Sequence, residues 1–376
     1  MSDYFLADDL SGALDAAAAF HRAGRRVKVV LSPQEWPDAD PEEIVGITTE
    51  TRNLTASVAA ETVVAAIRAG HDRGTRLVYK KIDSTLRGPV AAELAALAVA
   101  MPGTRFLFAP ANPRVGRIVR AGQLLVHGVP LAKTEFARDP LSPVRDSSIP
   151  LLLGGAAGPQ VTIADAETDA DLAAAVQRME SLGEPWVAIG SGALAHPVAA
   201  LHRGTSPVTR TNHVTPARGP MIFVCGSAHE CNRVQAHELA RECDVPLREI
   251  RPADMDAVTR TAIADVARQG AVSLIIDSER IESAKTLHAV ARVAYAVATE
   301  TRATSVFATG GETAFAVCRA LGISCFTFQE EIEPGVSLAR ADGSLGAMYW
   351  VVKPGGFGDA RTWSRAFRAL RGCYFI

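Results

Sequence analysis

Two aspartates, Asp8 and Asp9, stand side by side directly after the apolar run YFLA. Adjacent carboxylates repel one another unless a cation, a lysine or a substrate hydroxyl offsets them. The pair therefore points to chemistry, with one carboxylate accepting the proton of an attacking hydroxyl. Taken singly, Asp9 or Ser11 would also serve to cap a helix beginning near Gly12. Three further apolar runs end in the same kind of polar cluster: IVGI in Thr48, Thr49, Glu50, Thr51, Arg52 and Asn53, LVYK in Lys81, Asp83, Ser84, Thr85, Arg87 and Gly88, and FLFA in Pro110, Ala111, Asn112 and Pro113. Ser84 and Thr85 equally suit the cap of a helix running from Pro89, with Arg87 solvated. Ligands of open α/β sheets bind beyond the carboxyl ends of the strands. Acids, arginines, a lysine and hydroxyls gathered there suit a small anionic ligand rich in hydroxyls.

The second half carries different chemistry in the same places. MIFVC leads into Gly226, Ser227, Ala228 and His229, and SVFAT into Gly310, Gly311, Glu312 and Thr313 ahead of the helical FAVCRALG. A strand, two glycines, a hydroxyl and a helix N-terminus present backbone N–H groups and a positive dipole end, which is a cradle for phosphate. A single G-G-x-T also suits an ordinary tight turn. A third glycine-rich loop, Lys353, Pro354, Gly355, Gly356, Phe357 and Gly358, follows the run MYWVV. Neither the P-loop pattern nor a G-x-G-x-x-G opening a helix occurs, and the protein-kinase set and the nucleophile elbow G-x-S-x-G are absent. His229 lies close to Ser227, but no carboxylate is evident to orient it as a base.

These residues need elements to hold them. Short β-rich runs alternate with Ala-rich stretches, among them 56–73, 89–101 and 278–301, that have the composition of sheet-covering helices. That alternation predicts an α/β fold built of largely parallel sheets flanked by helices. At 376 residues the chain exceeds one ordinary core. The stretch 201–220 is rich in turn formers and basic residues and reads as an interdomain connection, giving a first domain over 1–212 and a second over 220–376. Residues 114–150 hold four prolines and read as a long irregular region.

Composition narrows the partners. With 48% apolar residues, and 39 Lys plus Arg against 41 Asp plus Glu, the chain is globular and has no electrostatic case for binding nucleic acid or a membrane surface. The six cysteines form no zinc-like cluster and read as reduced packing residues, and neither a signal peptide nor an apolar run of membrane-spanning length is visible. A cytoplasmic location is expected.

Eight stretches in order, ADDLSGALD (7–15), TTETRNL (48–54), KKIDSTLRG (80–88), PANPRVGR (110–117), FARDPLSPV (136–144), CGSAHECNRVQ (225–235), TGGETA (309–314) and KPGGFGD (353–359), resemble the four-carbon acid sugar kinases, which phosphorylate threonate, erythronate or 3-oxo-tetronate. His229 and Thr51 stand where that family more often has a small hydroxyl residue and a serine. The resemblance implies an N-terminal acid-sugar domain, a C-terminal ATP domain and catalysis in the cleft between them, with ATP and Mg2+ as cofactors. It implies that Ser227, Gly310, Gly311, Glu312, Thr313 and Gly355 contact the nucleotide or its metal, and that Asp8, Asp9, Arg52, Lys81, Asp83, Ser84 and Arg87 face the acid. Within that set, chemistry gives Arg52 or Arg87 the substrate carboxylate, Asp8 or Asp9 the proton, and Lys81 the charge of the transferring phosphoryl group. Asp8 ranks ahead of Asp9 as base, since Asp9 lies nearer the helix start. No residue is singled out as a metal ligand. A homodimer is compatible with these readings. Two alternatives stand beside them: a kinase of the same fold acting on another hydroxy acid, and a binding regulator without turnover.

Overall fold

The computed structural model describes residues 2–37, 40, 42–204, 219–227, 229–277 and 283–372. It divides into two compact units, Met1–Val208 and Thr209–Ile376. The connection expected at 201–220 falls mostly on 205–218, which lie outside the described residues, as do Ala228 and Cys373.

The first unit opens with β1 (Asp3–Ala7), α1 (Leu10–Arg22), β2 (Arg26–Val30), β3 (Glu43–Thr48), α2 (Ala56–Asp72), β4 (Arg76–Lys81), α3 (Val90–Ala100) and β5 (Arg105–Ala109). It continues through β6 (Arg117–Arg120), β7 (Gln123–Val126), β8 (Val129–Pro130), α4 (Ile149–Leu153), β9 (Val161–Ile163), α5 (Asp169–Glu180), β10 (Trp186–Gly190) and α6 (Gly192–Leu201). Strands pair in the order β2-β3-β1-β4-β10-β5-β9, and every pairing is parallel. Covered on both faces, such strands carry unbroken apolar runs, and every residue of β1 is buried. Phe5 of β1 stacks on Phe20 of α1 at 5.3 Å.

Register decides where the polar clusters go. Ala7 stands opposite Thr48 at the end of β3 and opposite Lys81 at the end of β4. The loops carrying 8–9, 49–52 and 82–87 therefore leave the sheet side by side. The region 114–150 is not simply irregular: β6, β7 and β8 form a small antiparallel sheet within it. Its two turns place Ala121 and Gly122 at φ 49° and 70°, and His127 and Gly128 at 50° and 80°. Positive φ at both central residues makes the tight turn whose twist matches a hairpin. The Asp165 carboxylate accepts the Ala121 and Gly122 amides at 2.6 and 2.8 Å and so holds the first turn closed.

The second unit comprises β11 (Met221–Cys225), α7 (Glu230–Cys243), β12 (Leu247–Ile250), α8 (Met255–Gln269), β13 (Ala271–Ile276), α9 (Ser283–Thr301), β14 (Ser305–Thr309), α10 (Gly311–Ala320), β15 (Cys325–Glu333), β16 (Val336–Gly343), β17 (Gly346–Lys353) and α11 (Thr362–Leu370). Its sheet runs β12-β13-β11-β14-β17-β16-β15. Pairing is parallel as far as β17 and antiparallel from there. Phe223, Phe307 and Trp363 form an aromatic cluster with ring centroids 5.0 to 5.7 Å apart. Here too the strand ends are level, with Cys225 opposite Thr309 and Thr309 opposite Lys353. Among the described residues no helix is long and apolar enough to cross a membrane.

Candidate active site

In the first unit the offset that the aspartate pair requires is supplied by Arg52. Its Nε and Nη2 donate to Asp8 at 2.9 and 2.8 Å, and its Nη1 and Nη2 donate to Asp9 at 2.8 Å each. Four guanidinium hydrogen bonds are thus spent on two carboxylates. Asp9 is also the N-cap of α1, accepting from the Gly12 amide at 2.8 Å and the Ser11 hydroxyl at 2.6 Å. A carboxylate offers about four lone-pair sites, and these donors with Arg52 fill those of Asp9. Asp8 accepts two bonds from Arg52 and a third from the Asp83 amide at 3.3 Å.

The other residues expected to face the acid lie on the same rim. Arg87 grips Asp83 through Nε and Nη2 at 2.8 and 3.1 Å and reaches Asp139 through Nη1 at 3.4 Å. Ser84 accepts from Nη1 of Arg117, and the guanidinium groups of Arg87 and Arg117 stand 5.7 and 5.5 Å from the centre of the Phe136 ring. Lys81 is buried, its ammonium 3.2 Å from the Ile82 carbonyl oxygen and 3.9 Å from the Asp15 carboxylate. All seven acid-facing residues expected from the sequence are accordingly brought together.

Burial alone would raise the Asp8 carboxyl, but Arg52, Lys80 and Lys81 outweigh it and hold Asp8 below its ordinary value. Burial likewise opposes, and Arg87, Arg52 and Arg117 overcome it, at Asp83, which lies well below. Glu50 goes the other way: burial, and then the neighbouring Asp9, push its carboxyl up to about 8. Glu50 and Leu86 both hold positive φ, 49° and 58°, and backbone strain of that kind collects at functional sites.

In the second unit three loops converge. The Gly226 amide donates to the Thr313 hydroxyl at 3.2 Å. A Cβ added at Gly310 would lie 3.9 Å from the Cβ of Ser227, and one at Gly355 would lie 2.9 Å from the Ser227 hydroxyl. Gly310 caps α10 at φ 93°, without a side-chain cap bond, and Gly311, Glu312 and Thr313 form the helix's first turn. The first amides of a helix have no intrahelical partner, and together with the positive dipole end they have the chemistry that suits an anion. His229 caps α7, accepting from the Cys231 amide at 3.3 Å.

Residues 4–162 match the model of a sugar-binding N-terminal domain, and residues 222–363 that of a nucleotide-binding C-terminal domain. A D-threonate kinase of Bordetella bronchiseptica is 33% identical over 97% of this chain and 96% of its own length. The chain belongs to the four-carbon acid sugar kinase family. A D-threonate kinase of Cupriavidus necator is 32% identical over 98% of each chain, and a 3-oxo-tetronate kinase of Methylobacterium radiotolerans is 29% identical over 96% of this chain and 97% of its own. A solved Salmonella typhimurium structure shares the fold, with a TM-score of 0.78 at 22% identity, covering 98% of this chain and 99% of that one. A Bordetella bronchiseptica structure, described as a domain-swapped dimer with bound citrate, matches with a TM-score of 0.50 at 30% identity over the whole of both chains.

Set against its family, the chain holds several site residues to which sequence reasoning gave no role. Arg117 closes the 110–117 stretch and enters the rim from the first position of β6, bridged to Asn112. Lys80 is wholly buried and paired with Glu93 of α3 at 3.1 Å. Glu93 accepts from the Thr51 hydroxyl and the Ala7 carbonyl accepts from the Thr49 hydroxyl at 2.9 Å, while the two hydroxyl oxygens stand 2.8 Å apart. This chain of bonds props the 49–52 loop against the residue before Asp8. The available signal was a charged residue closing an apolar run, a pattern shared by Lys80, Lys81 and Lys353.

Proposed function

We propose that this chain is an ATP-dependent kinase that transfers the γ-phosphoryl group of ATP to a hydroxyl of a four-carbon sugar acid, with D-threonate the leading candidate. The observation that carries the reading is that one chain holds both an arginine-clamped carboxylate rim and a three-loop phosphate cradle, each built at level strand ends. The relatives at 33% and 32% identity are D-threonate kinases, which supports the choice of acid. Citrate bound to the Bordetella bronchiseptica structure supports a site in this fold for small carboxylates.

In this reading Asp8 accepts the proton of the attacking hydroxyl, because Asp9 is filled by its cap bonds and Arg52. The hydroxyl oxygen bonds to the γ-phosphorus as the bond to the β–γ bridging oxygen breaks, and ADP leaves. Arg87 anchors the substrate carboxylate beside Arg117 and Phe136, whereas Arg52 holds Asp8 ionised. Lys81 stabilises charge on the transferring group. Ser227, Gly310, Gly311, Glu312, Thr313 and Gly355 receive the nucleotide phosphates.

Mg2+ neutralises phosphate charge when it is bound. Glu312, the acidic residue in the first turn of α10, would be the carboxylate to hold it beside the phosphates. A coupled ADP-release assay with D-threonate, D-erythronate, 3-oxo-tetronate and other hydroxy acids tests the reading. Saturable turnover of about 1–100 s⁻¹ with a four-carbon acid is expected. ATP binding without ADP release on any acid would instead favour a regulator.

A further inference from the structure

Lys353 ends β17 and is wholly buried. Its ammonium, which has three N–H donors, lies within hydrogen-bond distance of four oxygens that share them: the carbonyls of Phe357 at 2.8 Å, Pro354 at 3.0 Å and Gly355 at 3.2 Å, and Oδ1 of Asn232 at 3.1 Å. Its own carbonyl accepts the Gly310 amide at 2.8 Å, so one residue ties together two of the three converging loops. From α7, Gln235 donates to the Phe357 carbonyl at 3.1 Å and Cys231 to that of Gly355 at 3.5 Å.

The consequence follows from the planar trans peptide, in which C=O and the next N–H point opposite ways. Drawing the carbonyls of 354, 355 and 357 onto the ammonium turns the amides of Gly355, Gly356 and Gly358 away from it. None of those three amides donates to a protein acceptor among the described residues. The Gly355 and Gly356 amides are consecutive, that of Phe357 donates to the Pro354 carbonyl at 3.3 Å, and backbone amides turned outward in a tight turn make a nest for an anion. On the side of Ser227, moreover, Gly355 has no room for even a Cβ.

Given that the second unit binds a nucleotide, we propose that Lys353 is a positioning residue, drawing the loop's carbonyls inward so that the amides of Gly355, Gly356 and Gly358 form a nest for a nucleotide phosphate. Lys353 does not touch the ligand. It acts through the loop, and its charge lies just behind the nest.

The test is calorimetric titration of wild type, Lys353→Met and Lys353→Arg with ADP, together with KM for ATP and for the acid. Lys353→Met is expected to weaken ADP binding and raise the KM for ATP by at least about tenfold, leaving the KM for the acid within twofold; Lys353→Arg restores part of the loss.

Burial pushes the Lys353 ammonium down to about 8, and the titratable groups that face it are the thiols of Cys231 on α7 and Cys225 on β11 and the carboxylate of Glu333 on β15, which opposes the shift. Burial raises both thiols, Cys225 to about 12, so neither ionises in this window. The wild-type KM for ATP therefore rises as pH increases through about 8, and this limb is absent in Lys353→Arg, since an arginine stays charged. If Lys353→Met fails to fold, that comparison of pH profiles decides. Unchanged ADP affinity in folded Lys353→Met, or a limb that survives in Lys353→Arg, overturns the inference alone. No ADP or ATP binding by the wild type overturns the kinase reading with it.

Discussion

At the scale of single residues, the two aspartates separate by how many donors each already satisfies. Asp9 accepts four bonds and Asp8 three, which leaves Asp8 the lone pair a substrate hydroxyl needs. Asp8→Asn is expected to lower kcat by about 10²–10⁴-fold with ATP affinity little changed. Asp9→Asn is expected to act first on stability, because it alters a helix cap worth about 1 kcal/mol and half of the Arg52 clamp. Steady-state kinetics beside thermal melts separate the two, and wild-type turnover by Asp8→Asn would move the base elsewhere. The same clamp sets a pH dependence. Asp8 and Asp83 sit below their ordinary values, so their stabilisation is present above the unfolded carboxylate value of about 3.9 and is lost as pH falls through the folded values. Arg52→Met removes the cation and is expected to move the midpoint of acid unfolding to higher pH, read by circular dichroism; an unmoved midpoint would show that Arg52 does not hold Asp8 ionised. The aspartates were legible in the sequence because their mutual repulsion demands a partner. The identity of that partner was not, since Arg52 lies 43 and 44 positions away from them and only the register of β1 against β3 brings it near.

At the scale of elements, the candidate site residues stand at strand ends, and glycines shape the loops that follow in the second unit. Gly310, at φ 93° and ψ 135°, occupies backbone space that side chains avoid, and a Cβ on Gly355 would press on the Ser227 hydroxyl at 2.9 Å. Gly310→Ala is expected to cost about 1–3 kcal/mol of local strain and to weaken ATP binding. Gly355→Ala is expected to weaken ATP binding through displacement of Ser227, with little loss of melting temperature. Normal ATP affinity in both variants would place the nucleotide elsewhere. These loops were readable because parallel strands covered on both faces keep unbroken apolar runs, so their ends stand out against the polar clusters that follow. The β6–β8 sheet was not. Its turns use Ala121-Gly122 and His127-Gly128 in place of the Asn-Gly or Asp-Gly that marks such turns in sequence, and the first is held by Asp165, far along the chain. The contribution of Arg117 was hidden with it, because that arginine reaches Ser84 only once the hairpin has formed.

At the scale of the whole molecule, two compact units each carry polar or glycine-rich loops at one end of a mainly parallel sheet, and the chemistry of those ends differs. Ligands should therefore protect different amides. A ligand that binds only the folded state stabilises it by about 2.7 kcal/mol at a hundredfold excess over its dissociation constant. Amides that exchange by opening of the liganded unit should then slow by about a hundredfold. Hydrogen exchange read by mass spectrometry is expected to show ADP protecting 226–227, 310–313 and 353–358, and D-threonate protecting 8–12, 49–52 and 82–88. Protection of 8–12 by ADP alone, with 310–313 unaffected, would reverse the assignment of the two ends. Protection by D-threonate at neither end, despite turnover with another acid, would keep the division of labour and change only the substrate. The experiment also bears on Lys353: the loop 353–358 should lose its ADP protection in Lys353→Met while 310–313 keeps part of its own, because the α10 N-terminus is built from a helix dipole and Gly310 rather than from the ammonium behind the third loop.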